Sequence, residues 1–161
     1  MTVIHTITRT DSLWFPIADF AQTCSWDACK RLASFMREGK FNEWERIFVA
    51  EDNGAFMGFC ALMKSQGFPG AEYEPLIKWL FVGEKYRGQR ISQRLLEAAA
   101  EHASGLGYNR IYLTTWHNGL YEKYGFDKIC DKEVRDGYFE GIYEKKIEKM
   151  ELIIPTMEEN V

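Results

Sequence analysis

The segment Leu76-Ile-Lys-Trp-Leu-Phe-Val82 constrains this chain more than any other. It is apolar nearly throughout, the pattern of a strand covered on both faces. Through a short glycine-containing loop it leads directly into an amphipathic stretch that opens at Ile91. There Ile91, Leu95, Ala98, Ala99 and His102 share one helical face, while Gln93, Arg94, Glu97 and Glu101 fall mostly elsewhere. Gly105 and Gly107 stop the helix, and Arg110 to Thr115 reads as a second strand. A strand, a helix and a strand in close succession require the two strands to lie parallel.

The flanking sequence supplies the other elements. Residues 2–9 read as a strand, and Ser12 to Glu38 as two helices broken near Thr23–Ser25. On the second helix Trp26, Cys29, Leu32, Ala33 and Met36 form a one-face stripe, and Gly39 ends it. Arg46 to Met63 reads as a hairpin turning at Asn53-Gly54, two residues that tolerate positive φ. A looser loop through Gly67-Phe68-Pro69-Gly70 precedes Leu76. A short helix over Gly119–Tyr124 ends at Gly125, and Phe126 to Ile147 forms a second hairpin turning near Asp136-Gly137. Hairpins are antiparallel, so the sheet is mixed. The expected fold is α+β (or α/β): a single domain with a mixed central β-sheet flanked by helices, in the order β-α-α-β-β-β-α-β-α-β-β. Its core spans about 2–147, followed by a tail of about 148–161. The length of 161 residues, with no repeat or linker, suits one domain.

Composition narrows the function classes. Apolar residues make up 46% and charged residues 27%, which excludes a disordered or collagen-like chain. A net charge of −4 and basic runs no longer than pairs such as Lys145-Lys146 argue against nucleic acid. No apolar stretch is long enough to span a bilayer, and the N-terminus lacks the basic start and apolar run of a signal peptide. A cytoplasmic location and no membrane partner are expected. Cys24, Cys29, Cys60 and Cys130 show no C-x-x-C spacing, so reduced thiols are expected and a metal is not.

The chemistry concentrates where the buried strand meets the helix. The free N–H groups of a helix's first turn, with its dipole, make an anion site suited to a diphosphate. Gly88 allows close backbone approach there, and Arg87 and Arg90 add charge. An ordinary strand-to-helix turn with solvated arginines is the plain alternative. A second segment, Leu120-Tyr-Glu-Lys-Tyr-Gly-Phe126, follows the next strand. Together the loop Arg87-Gly-Gln-Arg-Ile-Ser92 and this segment resemble the R/Q-x-x-G-x-G/A loop and L-Y-E-x-x-G-F motif of the GNAT superfamily of N-acetyltransferases. The element order is similar across nearly the whole chain. Arg90 stands where that family most often has glycine, and Ser92 where it has glycine or alanine. A non-glycine residue at 90 must keep φ negative or carry strain.

The resemblance implies acetyl-CoA as donor co-substrate, without a metal, and a primary amine of a small molecule or peptide as acceptor. It implies that the pantetheine arm runs along Leu80, Phe81 and Val82. The diphosphate would meet the amides of Arg87, Gly88, Gln89, Arg90, Ile91, Ser92 and Gln93. Tyr121 occupies the position of the family's general acid, and a phenol with an ordinary pKa near 10 can donate at neutral pH. Tyr124 lies one turn on, where packing beneath the last hairpin accounts for it. The family's strand glutamate falls on Leu76, so the base has no direct counterpart; Glu74 and His117 are the candidates, with Glu72 further out. A water chain without a dedicated base is the alternative. Trp14, Phe15, Trp26, Phe41 and Trp44 concentrate in the N-terminal half, either filling a core or lining an acceptor site.

Two other function classes stay open at this level. A non-catalytic acyl-CoA sensor would bind acetyl-CoA yet release no thiol when amines are supplied. A nucleotide-phosphate binder unrelated to CoA lacks its Gly-Lys-Ser/Thr or G-x-G-x-x-G pattern here. The partner expected is the amine acceptor, with a homodimer as an open alternative.

Overall fold

A computed structural model describes residues 1–64 and 73–148. Strand β1 (Val3–Ile7) leads to helices α1 (Trp14–Thr23) and α2 (Ala28–Arg37), then to strands β2 (Arg46–Asp52), β3 (Ala55–Met63) and β4 (Leu76–Val82). A 3-10 turn at Glu84–Tyr86 precedes helix α3 (Ile91–Gly105) and strand β5 (Arg110–Thr115). A second 3-10 turn, Tyr121–Tyr124, stands where a short helix is expected, followed by β6 (Asp127–Arg135) and β7 (Tyr138–Lys146). The expected order is thus present. Glu72, the loop through Gly67–Gly70 and the tail from residue 149 lie outside the described residues.

The seven strands form one sheet in the order β1-β2-β3-β4-β5-β7-β6. Every neighbouring pair is antiparallel except β4 and β5, the pair joined by α3. Helices α1 and α2 cover one face. Trp14, Ile17, Ala18 and Ala21 follow helical spacing on α1 and are all buried. The Trp14 indole N–H donates to the Met36 carbonyl at 3.1 Å, and its ring meets Phe41 edge-on at 5.1 Å. On α2 the stripe is Cys29, Leu32, Ala33 and Met36. Trp26 does not join it: the helix opens at Ala28, and Trp26 precedes it in a turn, 44% exposed, with its carbonyl accepting from Cys29 N.

Helix α3 covers the other face, packing Ile91, Leu95, Leu96, Ala99 and Ala103 against Phe48, Cys60, Leu62, Ile77, Ile111 and Leu113. Leu96 and Ala103 join the expected stripe and Ala98 packs on it half-buried, because the contact line drifts around the helix along its length. The His102 ring sits at the margin, 3.3 Å from the Trp44 carbonyl.

Strand β4 departs most from expectation. Only Leu76, Ile77 and Phe81 are buried, while Lys78, Trp79, Leu80 and Val82 are half-buried. Between the register pairs Ala61↔Lys78 and Phe59↔Phe81, β4 holds one residue more than β3. Trp79 absorbs that bulge at φ +51°.

Candidate active site

The bulge has a consequence on the far edge of β4. Parallel pairing with β5 is confined to Leu76↔Tyr112 and Ile77↔Leu113, although the strands continue to Val82 and Thr115. The two strands part there into a wedge. The β5-facing amides and carbonyls beyond Ile77 have no ladder partner, which costs free energy unless water or a ligand meets them. An extended ligand arm bearing amides fits this edge, and Leu80, Phe81 and Val82 line it.

The wedge opens onto the loop before α3. Gly83 N is tied to the Met57 carbonyl at 2.8 Å, and the Arg87 Nε donates to the Val82 carbonyl at 3.1 Å. The Arg87 side chain therefore anchors the loop to the strand end. Gly88 has φ +82° and Arg90 has φ +61°, so Arg90 adopts the left-handed conformation rather than keeping φ negative. Left-handed residues two apart are the means by which successive N–H groups curl into an anion-binding concavity. Helix α3 begins immediately after. Its first ladder bond runs from Arg94 N to the Arg90 carbonyl at 3.2 Å, leaving the N–H groups of Ile91, Ser92 and Gln93 without an intrahelical partner. Gln89 and Arg90 are exposed, Ser92 and Gln93 half-buried. A diphosphate fits this cradle.

Tyr121 stands on the 3-10 turn that follows β5. Its half-buried ring packs against Phe126 and Tyr143, both at 6.3 Å, and Tyr124 at 6.4 Å. Burial pushes its phenol up to about 12, with Tyr124 and Cys60 adding to the effect. The phenol is a proton donor across the physiological range. Tyr124 does more than pack: its hydroxyl and the Ser92 Oγ lie 2.9 Å apart, which ties the turn to the first turn of α3. The cradle and Tyr121 are thereby held on one end of the sheet. Sequence reasoning had no signal for this bond, since residues 32 apart carry no shared pattern.

The two candidate bases fall at opposite ends. Glu74 precedes β4, away from the wedge, and accepts a hydrogen bond from the Tyr108 hydroxyl at 3.0 Å. His117 follows β5 at the end that holds Tyr121. Its ring is exposed and stacks on Trp116 at 3.8 Å, while its carbonyl accepts from the Tyr143 hydroxyl. The N-terminal aromatics divide as well. Trp14 and Phe41 are core, Phe15 and Trp26 are exposed, and Trp44 packs on Tyr108 at 5.9 Å. The aromatics that reach β4 beside the wedge are instead Phe35 and Trp79, 5.6 Å apart. Among the described residues no group of His, Cys, Asp and Glu is arranged to hold a metal ion.

The β4–β5 wedge beside a helix N-terminus, with a tyrosine at the same end, is a site that suits an extended amide-bearing arm ending in a diphosphate. Residues 43–128, just over half of the chain, match the acetyltransferase (GNAT) domain model. The chain belongs to the GNAT family of acetyltransferases. No curated protein matches the sequence significantly. Among solved structures it resembles an aminoglycoside 6'-acetyltransferase type Ii, with 19% identity and TM-score 0.72 over 92% of this chain and 99% of that one. An aminoglycoside 6'-N-acetyltransferase complexed with coenzyme A gives 17% and 0.69 over 92% and 99%. The ribosomal-protein-S18-alanine N-acetyltransferase of Escherichia coli gives 19% and 0.66 over 96% and 99%. At these identities the likeness is one of fold.

Proposed function

We propose that this enzyme moves the acetyl group of acetyl-CoA to a primary amine of a small molecule or peptide, by direct attack of the amine. The observation that carries it is the wedge, which joins a free strand edge, a diphosphate cradle and a phenol at one end of the sheet. Bound acetyl-CoA supplies an activated thioester. The free edge at Leu80–Val82 holds the extended arm, and the amides from Gly88 to Gln93 hold the diphosphate. A β4 N–H group facing the wedge meets the negative charge that develops on the carbonyl oxygen. Tyr121 hands its proton to the departing sulfur. A phenol at about 12 is a weak acid, but a thiolate leaving into the same desolvated space is raised by the same burial, so the two stay matched. His117, at the end of the sheet that holds Tyr121, takes up the proton of the incoming amine directly or through water. The aminoglycoside and the ribosomal-protein-S18 alanine in the names of the structural neighbours are both amine-bearing, which supports this acceptor class.

The test is thiol release from acetyl-CoA with a panel of amines. Tyr121→Phe keeps the ring and removes only the hydroxyl. Turnover should fall by about 10²–10⁴-fold with acetyl-CoA affinity little changed. Tyr124→Phe should cost far less. Equal, small losses for both would move the proton donor elsewhere. The pH profile is a second check: Tyr121 imposes no alkaline fall in kcat below about pH 11, because its folded pKa lies near 12.

A further inference from the structure

We propose that the acceptor is an amine that also carries a carboxylate, and that Lys78 and Arg31 receive that carboxylate. This rests on the acetyltransferase reading above and specifies its acceptor.

The bulge at Trp79 sets two consecutive β4 side chains towards α2. The Trp79 ring packs on Phe35 of α2, and the Lys78 Nζ lies 4.8 Å over the Trp79 ring. Arg31 stands one helical turn before Phe35, hence on the same α2 face. Lys78 thus stands over an aromatic pair on the α2 side of β4, Lys40 lies over the Phe35 ring at 5.2 Å, and Arg31 is near enough for its charge to act on Lys78. Neighbouring cations along α2 and just past it are all matched: Lys30 with Asp27, Arg37 with Asp19, and Lys40 with Glu38. Neither Lys78 nor Arg31 has an ion pair or hydrogen bond among the described residues. Burial holds the Lys78 ammonium below the ordinary lysine range, Arg31 adds to this, and Glu45 and Glu140 oppose it. Glu45 is buried and committed, its carboxylate accepting from Asn42 N at 2.7 Å and Lys64 N at 2.8 Å. A half-buried ammonium with a like charge beside it is relieved by an incoming anion.

A carboxylate on β7 completes the pattern. Glu140, half-buried on β7, is the second carboxylate whose field reaches Lys78, and it forms no ion pair among the described residues. A zwitterion would place its carboxylate on Lys78 and Arg31 and its ammonium towards Glu140. A polycation would meet two like charges, and a neutral apolar amine would leave Lys78 desolvated without a counter-ion.

The experiment uses the full-length protein, acetyl-CoA and a series of ω-amino acids of increasing length, each paired with its ω-amino amide. Wild-type kcat/KM should favour the acid by about tenfold or more, the usual worth of a partly buried charge contact. In Lys78→Met that preference should fall to within about threefold, through a raised KM for the acid with the amide unaffected. A merely structural role would lower both. Arg31→Gln, at an exposed helix position, should weaken the preference in the same direction and decides the matter if Lys78→Met does not fold. Equal rates for acid and amide, a preference for diamines, or equal losses on both substrates in the variants would overturn the inference and leave the acetyltransferase standing. Thiol release from no amine at all, with CoA bound, would count against the acetyltransferase proposal instead. Calorimetry of N-acetylated ω-amino acids on CoA-loaded protein then decides the carboxylate site separately: binding lost in Lys78→Met supports it, and absence of binding overturns it.

Discussion

Arg90 holds φ +61°, a conformation that costs an L-residue about 1–2 kcal/mol, immediately before the first turn of α3. Its side chain is exposed, so nothing it touches accounts for that cost being tolerated; the backbone turn that opens α3 sets it. Arg90→Gly should raise stability by up to about 1 kcal/mol, since strain relief exceeds the added entropy of the unfolded chain. Arg90→Val should lose about 1 kcal/mol or more, because a β-branched residue suits positive φ least. Urea midpoints check the pair, and calorimetry should find CoA affinity kept in the first and weakened in the second. The sequence left two outcomes open at this position, negative φ or strain. Only the geometry of the turn between the 3-10 segment and α3 chose between them.

At the scale of elements, β4 decides the site, and Gly58 on β3 is what lets it approach. A Cβ at Gly58 would overlap the Phe81 carbonyl oxygen and lie 3.1 Å from the Val82 Cα. Gly58→Ala should therefore cost about 2–4 kcal/mol, because both atoms belong to backbone that cannot swing away. Thermal unfolding measures the loss, and KM for acetyl-CoA should rise with it, since Phe81 and Val82 are displaced. A change below about 0.5 kcal/mol would mean the strands can slide apart freely. Strand, loop and helix around this point were legible from apolar spacing and glycine placement. The bulge was not, because it is a mismatch of one residue between two strands, and neither strand alone records it. The same holds for Lys78: in an apolar run it reads as an interruption, and its place on the α2 side of β4 follows only from the bulge.

For the whole molecule, two cores on opposite faces of the sheet each hold a buried thiol, Cys29 on the inner face of α2 and Cys60 on β3 beneath α3. All four cysteines are free. Burial pushes the Cys29 thiol up to about 12 and Cys60 further up. Unfolded thiols ionise near 9, so above that pH the unfolded chain sheds protons that the folded protein keeps, and stability falls as pH rises. Each such group steepens the fall towards about 1.4 kcal/mol per pH unit, and Tyr121 joins above pH 10. Urea midpoints under reducing conditions at pH 8, 9.5 and 10.5 should show this decline. Cys60→Ala should be less stable overall yet show a shallower slope. A flat profile would place the thiols in water.

Periodicity, glycine punctuation and the two short motifs by themselves determined the element order, the parallel β4–β5 pair, the loop that opens α3 and the turn that carries Tyr121. All of these are local in the chain or follow from which elements succeed one another. Tertiary structure decided what depends on two distant segments meeting. It parted β4 from β5, bonded Tyr124 to Ser92, sent Trp14 and Phe41 into the core, and set Glu74 and His117 at opposite ends. It also set Lys78 over Trp79, which packs on Phe35, within reach of the Arg31 charge. The physical reason is register. A strand's own pattern states which side chains alternate, whereas which of them face a partner is settled by the pairing, and one extra residue in that pairing turns a buried strand into the wall of a site.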